Sequence, residues 1–268
     1  MWYLALTIKP CGQHRRTTVC INYPCGYMVS MITIIGTGHV FRLSEPIMFL
    51  IKNIWPEAVL VELDYTRFKM LTGQQDPGAQ PVQVEDKSPW IYRRAAKYQQ
   101  KMAKEHGSDV GSELVTAALT GRQIGAEVAF IDTNATQVMN EMWEEMPFRE
   151  RMRYSISTYT DGFRGKKRAD TVVKDFGERE AEMMADMRRK YPTLVRKLVD
   201  ERNELMAEQI RDYAGRYSKI VVVCGDAHVE GISDLLSDLE IKKIRLRDIT
   251  DKERLDKIRS EAWNHDGE

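Results

Sequence analysis

An α/β fold, with a central mixed β-sheet covered by helices on both faces, is what this chain predicts, and three observations carry that reading. Five short segments rich in Ile, Val and Leu recur along the chain. Long charged stretches with helical apolar spacing separate them. The strand-like segments are continuously apolar rather than alternating, as strands buried on both faces are.

The first strand is ITII at 32–35. SEPIMFLIKNIWPE follows, with apolar residues at Ile47, Leu50, Ile51 and Ile54, the spacing of one helix face, and Pro56 ends it. AVLVEL at 58–63, EVAFID at 127–132, KIVVVC at 219–224 and KKIRLRDI at 242–249 are the remaining expected strands. Helices are expected in SPWIYRRAAKYQQKMAKEHG, in ELVTAALTGRQIG and in MNEMWEEMPFRERMRYSI. The longest charged stretch, DFGEREAEMMADMRRKYPTLVRKLVDERNELMAEQIRDYAGRY, reads as two helices split at Pro192, because proline lacks an N–H and clashes with the preceding turn. A long helical insertion thus separates the third and fourth strands. Methionines on these helices read as core filler.

Residues 31–260 form the expected single domain, and 261–268 a flexible tail. Residues 1–30 are set apart: they hold Cys11, Cys20 and Cys25, three of the four cysteines, in an order that matches neither a signal peptide nor paired zinc-ligand spacing. Met31, directly before the first strand, is read as the natural start, with 1–30 as a leader; a flexible arm is the alternative. Cys224, in an apolar run, is expected to be buried and reduced. Without a disulfide pattern, the expected setting is cytoplasmic.

Forty Lys and Arg balance forty Asp and Glu. That argues against a dedicated nucleic-acid binder, which carries a basic excess; RGKKR at 164–168 reads as a solvated loop. No apolar run reaches the roughly 18–20 residues that span a bilayer.

Polar residues gather where strands end, the place where open α/β sheets bind ligands. One short pattern occurs twice: IIGTGHV, with Gly36 and His39, and VVCGDAHVEGI, with Gly225 and His228. Each is an apolar strand, a glycine, two small or polar residues, a histidine and a valine. The glycines would let the backbone turn and approach a ligand, and the histidines could hold a metal or act as acid and base. Glu62 and Asp64 end the second strand, on one face if alternation continues, with Arg67 as the expected partner. Asp132 ends the third strand, where Asp132-Thr133-Asn134 is also a helix-start signal. Each residue has a plainer reading as a turn or cap; the recurrence of Gly-x-x-His is what favours a site.

GTGHV, VELDYTR, GAEVAFID, ERNELMAEQI and VVVCGDAHVEGI, in this order, resemble the TraB/PrgY family, which includes pheromone-shutdown proteins, archaeal relatives and the animal TIKI proteases. The resemblance runs from about Ile32 to about Ile232. It implies a fold like that of the TraB and erythromycin-esterase-type proteins, and a metal-dependent peptidase activity like that of the TIKI members. By position, Gly36 with His39 and Gly225 with His228 match the two histidine motifs, Glu62 the acidic residue, Arg67 its basic partner, and Glu201 and Arg202 the ERN element. The implied metal set is His39, His228 and Glu62 around one divalent ion (Mn or Co, with Zn as an alternative). Arg67 or Arg202 would orient the substrate or stabilise an oxyanion, and Glu201 would be the general base. The implied partner is a peptide or protein substrate, with a homodimer left open. Two alternatives stand beside this: a metal-free His/Glu hydrolase and a non-catalytic peptide- or pheromone-binding protein. The chain departs from the family in three places. Asp132-Thr133 stands where Asp-Arg is usual, Phe41 stands where a serine often follows the first motif, and no membrane-anchoring region is visible.

Overall fold

The computed structural model describes residues 30–38, 43–74, 111–157 and 182–264. Five strands form one sheet in the order β3-β2-β4-β1-β5: β1 (Met31–Thr37), β2 (Ala58–Val61), β3 (Glu127–Phe130), β4 (Lys219–Gly225) and β5 (Glu240–Ile244). All four pairings are parallel. The expected α/β class stands, but the mixed strand directions do not. Each described connection between successive strands carries helix, which returns the chain to the same end of the sheet.

The two faces divide the strand residues by strict alternation. Ile35, Val59, Val61, Val221, Val223 and Ile244 face one core, and Ile32, Ile34, Leu60, Ile220, Val222 and Cys224 face the other. The first face is covered by α1 (Ser44–Ile54), α2 (Tyr65–Thr72), α3 (Ser112–Gln123), α10 (Leu246–Thr250) and α11 (Lys252–Asn264). α8 (Glu201–Ala214) and α9 (Asp226–Leu235) cover the second. Cys224 is fully buried, and burial pushes its thiol well up, with Glu62 and Asp226 adding to the shift.

The apolar stripe Ile47, Leu50 and Ile51 docks α1 as its spacing predicts. Trp55 closes α1 in the left-handed region at φ 49°, its N–H reaching Ile51 O at 2.9 Å. The following Pro56 disfavours continuing the helix. The fifth strand differs from expectation: it begins at Glu240 and ends at Ile244, and Leu246 onward is helix. α11 runs to Asn264, into the segment expected as a tail.

The insertion between β3 and β4 contains, among the described residues, α4 (Ala135–Glu145), α5 (148–157), α6 (182–190), α7 (Pro192–Val195), a π-helical turn at Arg196–Asp200, and α8. The break at Pro192 is where it was expected, with proline in the first turn of α7. The buried carboxylate of Glu150 accepts the N–H groups of Thr193 and Leu194 at 3.0 and 3.3 Å, satisfying two donors that a helix start leaves open. Met142 and Met146 pack with Leu194 and Val195 in a satellite core, as methionine filler should. Met70, 76 % exposed, does not. Among the described residues no helix is long and apolar enough to cross a membrane. Cys11, Cys20, Cys25, RGKKR and the helix expected from SPWIYRRAAKYQQKMAKEHG lie outside the described residues.

At the N-terminal ends of β2 and β4, Glu57 accepts hydrogen bonds from Ser218 N at 2.6 Å, Ser218 Oγ at 2.9 Å and Lys219 N at 3.3 Å. Burial raises the Glu57 carboxyl, and these donors more than reverse it, so its pKa lies below the ordinary 4.5. A depressed carboxylate stabilises the fold fully above its unfolded pKa, and that contribution fades as the pH falls through the folded value. The difference in urea midpoint between wild type and Glu57→Gln should therefore be largest above pH 4.5 and shrink on acidification.

Candidate functional site

Parallel pairing brings the ends of β1, β2, β3 and β4 to one edge of the sheet. Val61 lies beside both Val223 and Phe130, and Thr37 beside Gly225. Glu62 follows β2 directly and Asp132 follows β3 by two residues. His228 stands on the first turn of α9. The two Gly-x-x-His copies are on neighbouring strands but one residue out of step, since Gly36 pairs with Cys224 and Thr37 with Gly225. His39 and Phe41 lie outside the described residues.

The cation that joins these strand ends is Arg202, from the second residue of α8. Arginine has five N–H donors in a planar fork, and each meets an acceptor here. Nε donates to Asp132 Oδ1 at 2.9 Å. Nη2 donates to Asp132 Oδ2 at 2.7 Å and to Glu62 Oε1. Nη1 donates to Leu198 O at 3.2 Å and faces His228 Nε2 at 3.3 Å. Arg202 is 19 % exposed, with Glu62 at 7 % and Asp132 at 6 %. Burial alone would lower the guanidinium pKa; Glu62 and Asp132 outweigh it and raise the value, so Arg202 stays charged.

Glu62 is also pinned from β4, where Gly225 N donates to Oε2 at 2.5 Å. Its Oε1 lies 3.4 Å from His228 Nε2. On the other ring nitrogen, His228 Nδ1 is 2.7 Å from Asn203 Oδ1.

Several expectations change. Arg202, not Arg67, holds Glu62. Alternation ceases when β2 ends at Val61, so Glu62 and Asp64 part company: Asp64 caps α2, accepting Arg67 N at 2.9 Å. The cap of α4 is Asn134, which accepts Thr136 N at 2.9 Å and Gln137 N at 3.2 Å. That leaves Asp132 for Arg202. The positive charge missing after Asp132 is thus supplied from α8. Glu201 turns away from the site, into a half-exposed cluster with Arg196 and with Lys197 at 2.9 Å. Successive helix residues differ by about 100°, so Glu201 and Arg202 cannot share one direction. Arg202, with its donors committed internally, holds the site together rather than offering a hand to an oxyanion.

The glycines act differently from one another. At Gly36 an added Cβ would lie 2.0 Å from Asp226 Oδ1. The space serves an internal carboxylate, not a ligand. Asp226 is itself gripped by Arg245, whose Nε and Nη2 donate to Oδ1 at 3.0 Å and Oδ2 at 2.8 Å, and by Leu246 N at 2.8 Å. At Gly225, with φ −59°, an added Cβ would lie 3.4 Å from Glu62 Oε2 and 3.5 Å from His228 Cδ2, which is ordinary contact, so the constraint is not comparable.

A profile of the TraB/PrgY/gumN family matches residues 29–248. The chain belongs to this family. It is also 27 % identical, over 214 residues, to the uncharacterised protein MJ1365 of Methanocaldococcus jannaschii, a match that covers 78 % of this chain and 54 % of that protein. The chain therefore spans about half the length of this relative.

The metal set implied by the family can be tested only in part, because His39 is not described. Glu62 Oε1 and His228 Nε2 are close enough to share one ion, but both already face the Arg202 guanidinium. Among the described residues, no three His, Cys, Asp or Glu side chains stand together as a metal-binding group. For one ion to reach both Glu62 and His228, Arg202 would have to give way.

Sequence reasoning missed Asn203 and the Asp226–Arg245 pair. Gly231, in the middle of a helical pattern, was the available signal for Asn203, because an interior helix glycine generally marks close packing. Arg245 left no such trace.

Two outcomes follow for equilibrium urea denaturation. Removing Arg202 strands two buried carboxylates, so Arg202→Ala should cost about 3–5 kcal/mol. Gly36→Ala should cost about 1–3 kcal/mol by overpacking, and Gly225→Ala clearly less.

Proposed function

We propose that this TraB-family chain is a hydrolase of peptide or related acyl bonds in which His228 supplies acid–base chemistry beside Glu62. The observation that carries the reading is the contact at His228 Nε2. A guanidinium only donates, so a hydrogen bond across the 3.3 Å from Arg202 Nη1 uses the Nε2 lone pair, in competition with the Glu62 carboxylate at 3.4 Å, which would favour Nε2–H. At 3.3 Å this contact is at the weak end of hydrogen bonding, and a water at the strand edge can take its place. His228 would accept the proton of that water as it attacks the acyl carbon. Glu62 Oε1, 3.4 Å from Nε2, would stabilise the imidazolium until the proton passes to the leaving group. The peptide class of substrate rests on family resemblance.

A second reading, the metal-dependent peptidase, draws on the same 3.4 Å approach of Glu62 and His228. It requires Arg202 to yield its place and His39 to join them. A third, peptide binding without cleavage, predicts affinity that survives loss of His228.

Cleavage of a peptide library, with and without chelator and added Mn²⁺, separates these. The expected result is chelator-insensitive cleavage that falls at least about 100-fold in kcat/KM in His228→Ala, the usual contribution of a general base. Cleavage that needs added metal supports the second reading, and binding without cleavage the third.

A further inference from the structure

His228 lies between two side chains of α8, and the two contacts together bear on where its proton sits. Nε2 faces Arg202 Nη1, a donor, at 3.3 Å. A neutral imidazole carries one N–H, so with Nε2 as the acceptor the proton is on Nδ1. The atom 2.7 Å from Nδ1 must then accept, and it is the carbonyl oxygen of Asn203.

We propose that Asn203 is the positioning residue of the site: it holds His228 in the Nδ1–H form and keeps the Nε2 lone pair toward Arg202 Nη1. Asn203 is itself buried, at 4 % exposure, so its amide has little freedom to turn. Its placement depends on Gly231 across the α8–α9 interface. A Cβ at Gly231 would lie 2.2 Å from Asn203 Nδ2 and 3.2 Å from its Cγ. Glycine is unfavourable inside a helix, and at this position it provides the room that the Asn203 amide needs.

The choice of an amide also has a reason. Glu62 and Asp132 already bring two carboxylates around Arg202. An aspartate at position 203 would fix the ring equally well but would add a third negative charge and favour the imidazolium. Asparagine orients the ring without charging it, which keeps His228 an acceptor. The assignment deepens the acid–base reading of His228, and it is tested without substrate.

The test is a long-range ¹H–¹⁵N correlation spectrum of the full chain, labelled on histidine, at neutral pH. His228 is identified by its absence in His228→Gln. In the wild type, His228 should show a single form, with Nδ1 pyrrole-like and Nε2 pyridine-like. Asn203→Ala should move both nitrogens toward averaged shifts. Gly231→Ala, which leaves both partners in the sequence and only displaces the amide, should do the same. Asn203→Asp should keep the proton on Nδ1. A wild-type spectrum with the proton on Nε2 overturns the proposal and needs no variant to fold. Unchanged shifts in folded Asn203→Ala and Gly231→Ala overturn it as well. An intact Nδ1–H form in a protein without hydrolytic activity would sink the reaction and leave Asn203 in this role.

Discussion

The site depends on one buried guanidinium held between two carboxylates. Glu62 and Asp132 stand just past the ends of adjacent strands and would repel each other if nothing stood between them. Arg202 enters from α8 and gives each of its five N–H groups an acceptor. Lysine has only three donors and no fixed plane, so it could not serve the two carboxylates, the Leu198 carbonyl and His228 together. Desolvating three charges is costly, and the complete hydrogen bonding is what offsets that cost. The contact also docks the helical insertion onto the sheet edge, since α8 is its last helix.

A second clamp stands on the other side of β4. Arg245, just after β5, grips Asp226 through two nitrogens and reaches Glu230 at 2.6 Å. The start of α9 is thus tied on one side through Gly225 to Glu62 and on the other through Asp226 to Arg245. His228 rides on that first turn, so its direction is fixed by both clamps before any ligand is considered. Gly36 belongs to this framework, because any side chain there would strike Asp226.

The π-helical turn before α8 helps to separate the roles of neighbouring residues. Its closing bond runs from Glu201 N to Arg196 O, five residues back instead of four. One extra residue in a turn advances the following helix by about 100°. Lys197, paired with Glu201, remains with the carboxylates of α4, while Arg202 and Asn203 reach the sheet edge and α9.

The strands, the helical insertion and the break at Pro192 were all legible, because continuous apolar runs, helical periodicity and proline act locally. The acidic end of β2 and the second Gly-x-x-His, with His228, meet at one edge of the sheet. Partner choice was not legible. Arg67 lies five residues from Glu62 and Arg202 lies 140 away, and chain proximity favours the wrong one. Asp132 and Asn134 compete for one cap on nearly equal terms in sequence, and the arrival of Arg202 separates them. The sequence by itself determined which segments are buried and which ends are polar, since hydrophobic periodicity encodes burial. Only the tertiary structure decided which cation meets which carboxylate and which nitrogen of His228 faces Glu62. Those choices rest on side-chain reach across α8, the sheet edge and α9, distances that no local pattern contains.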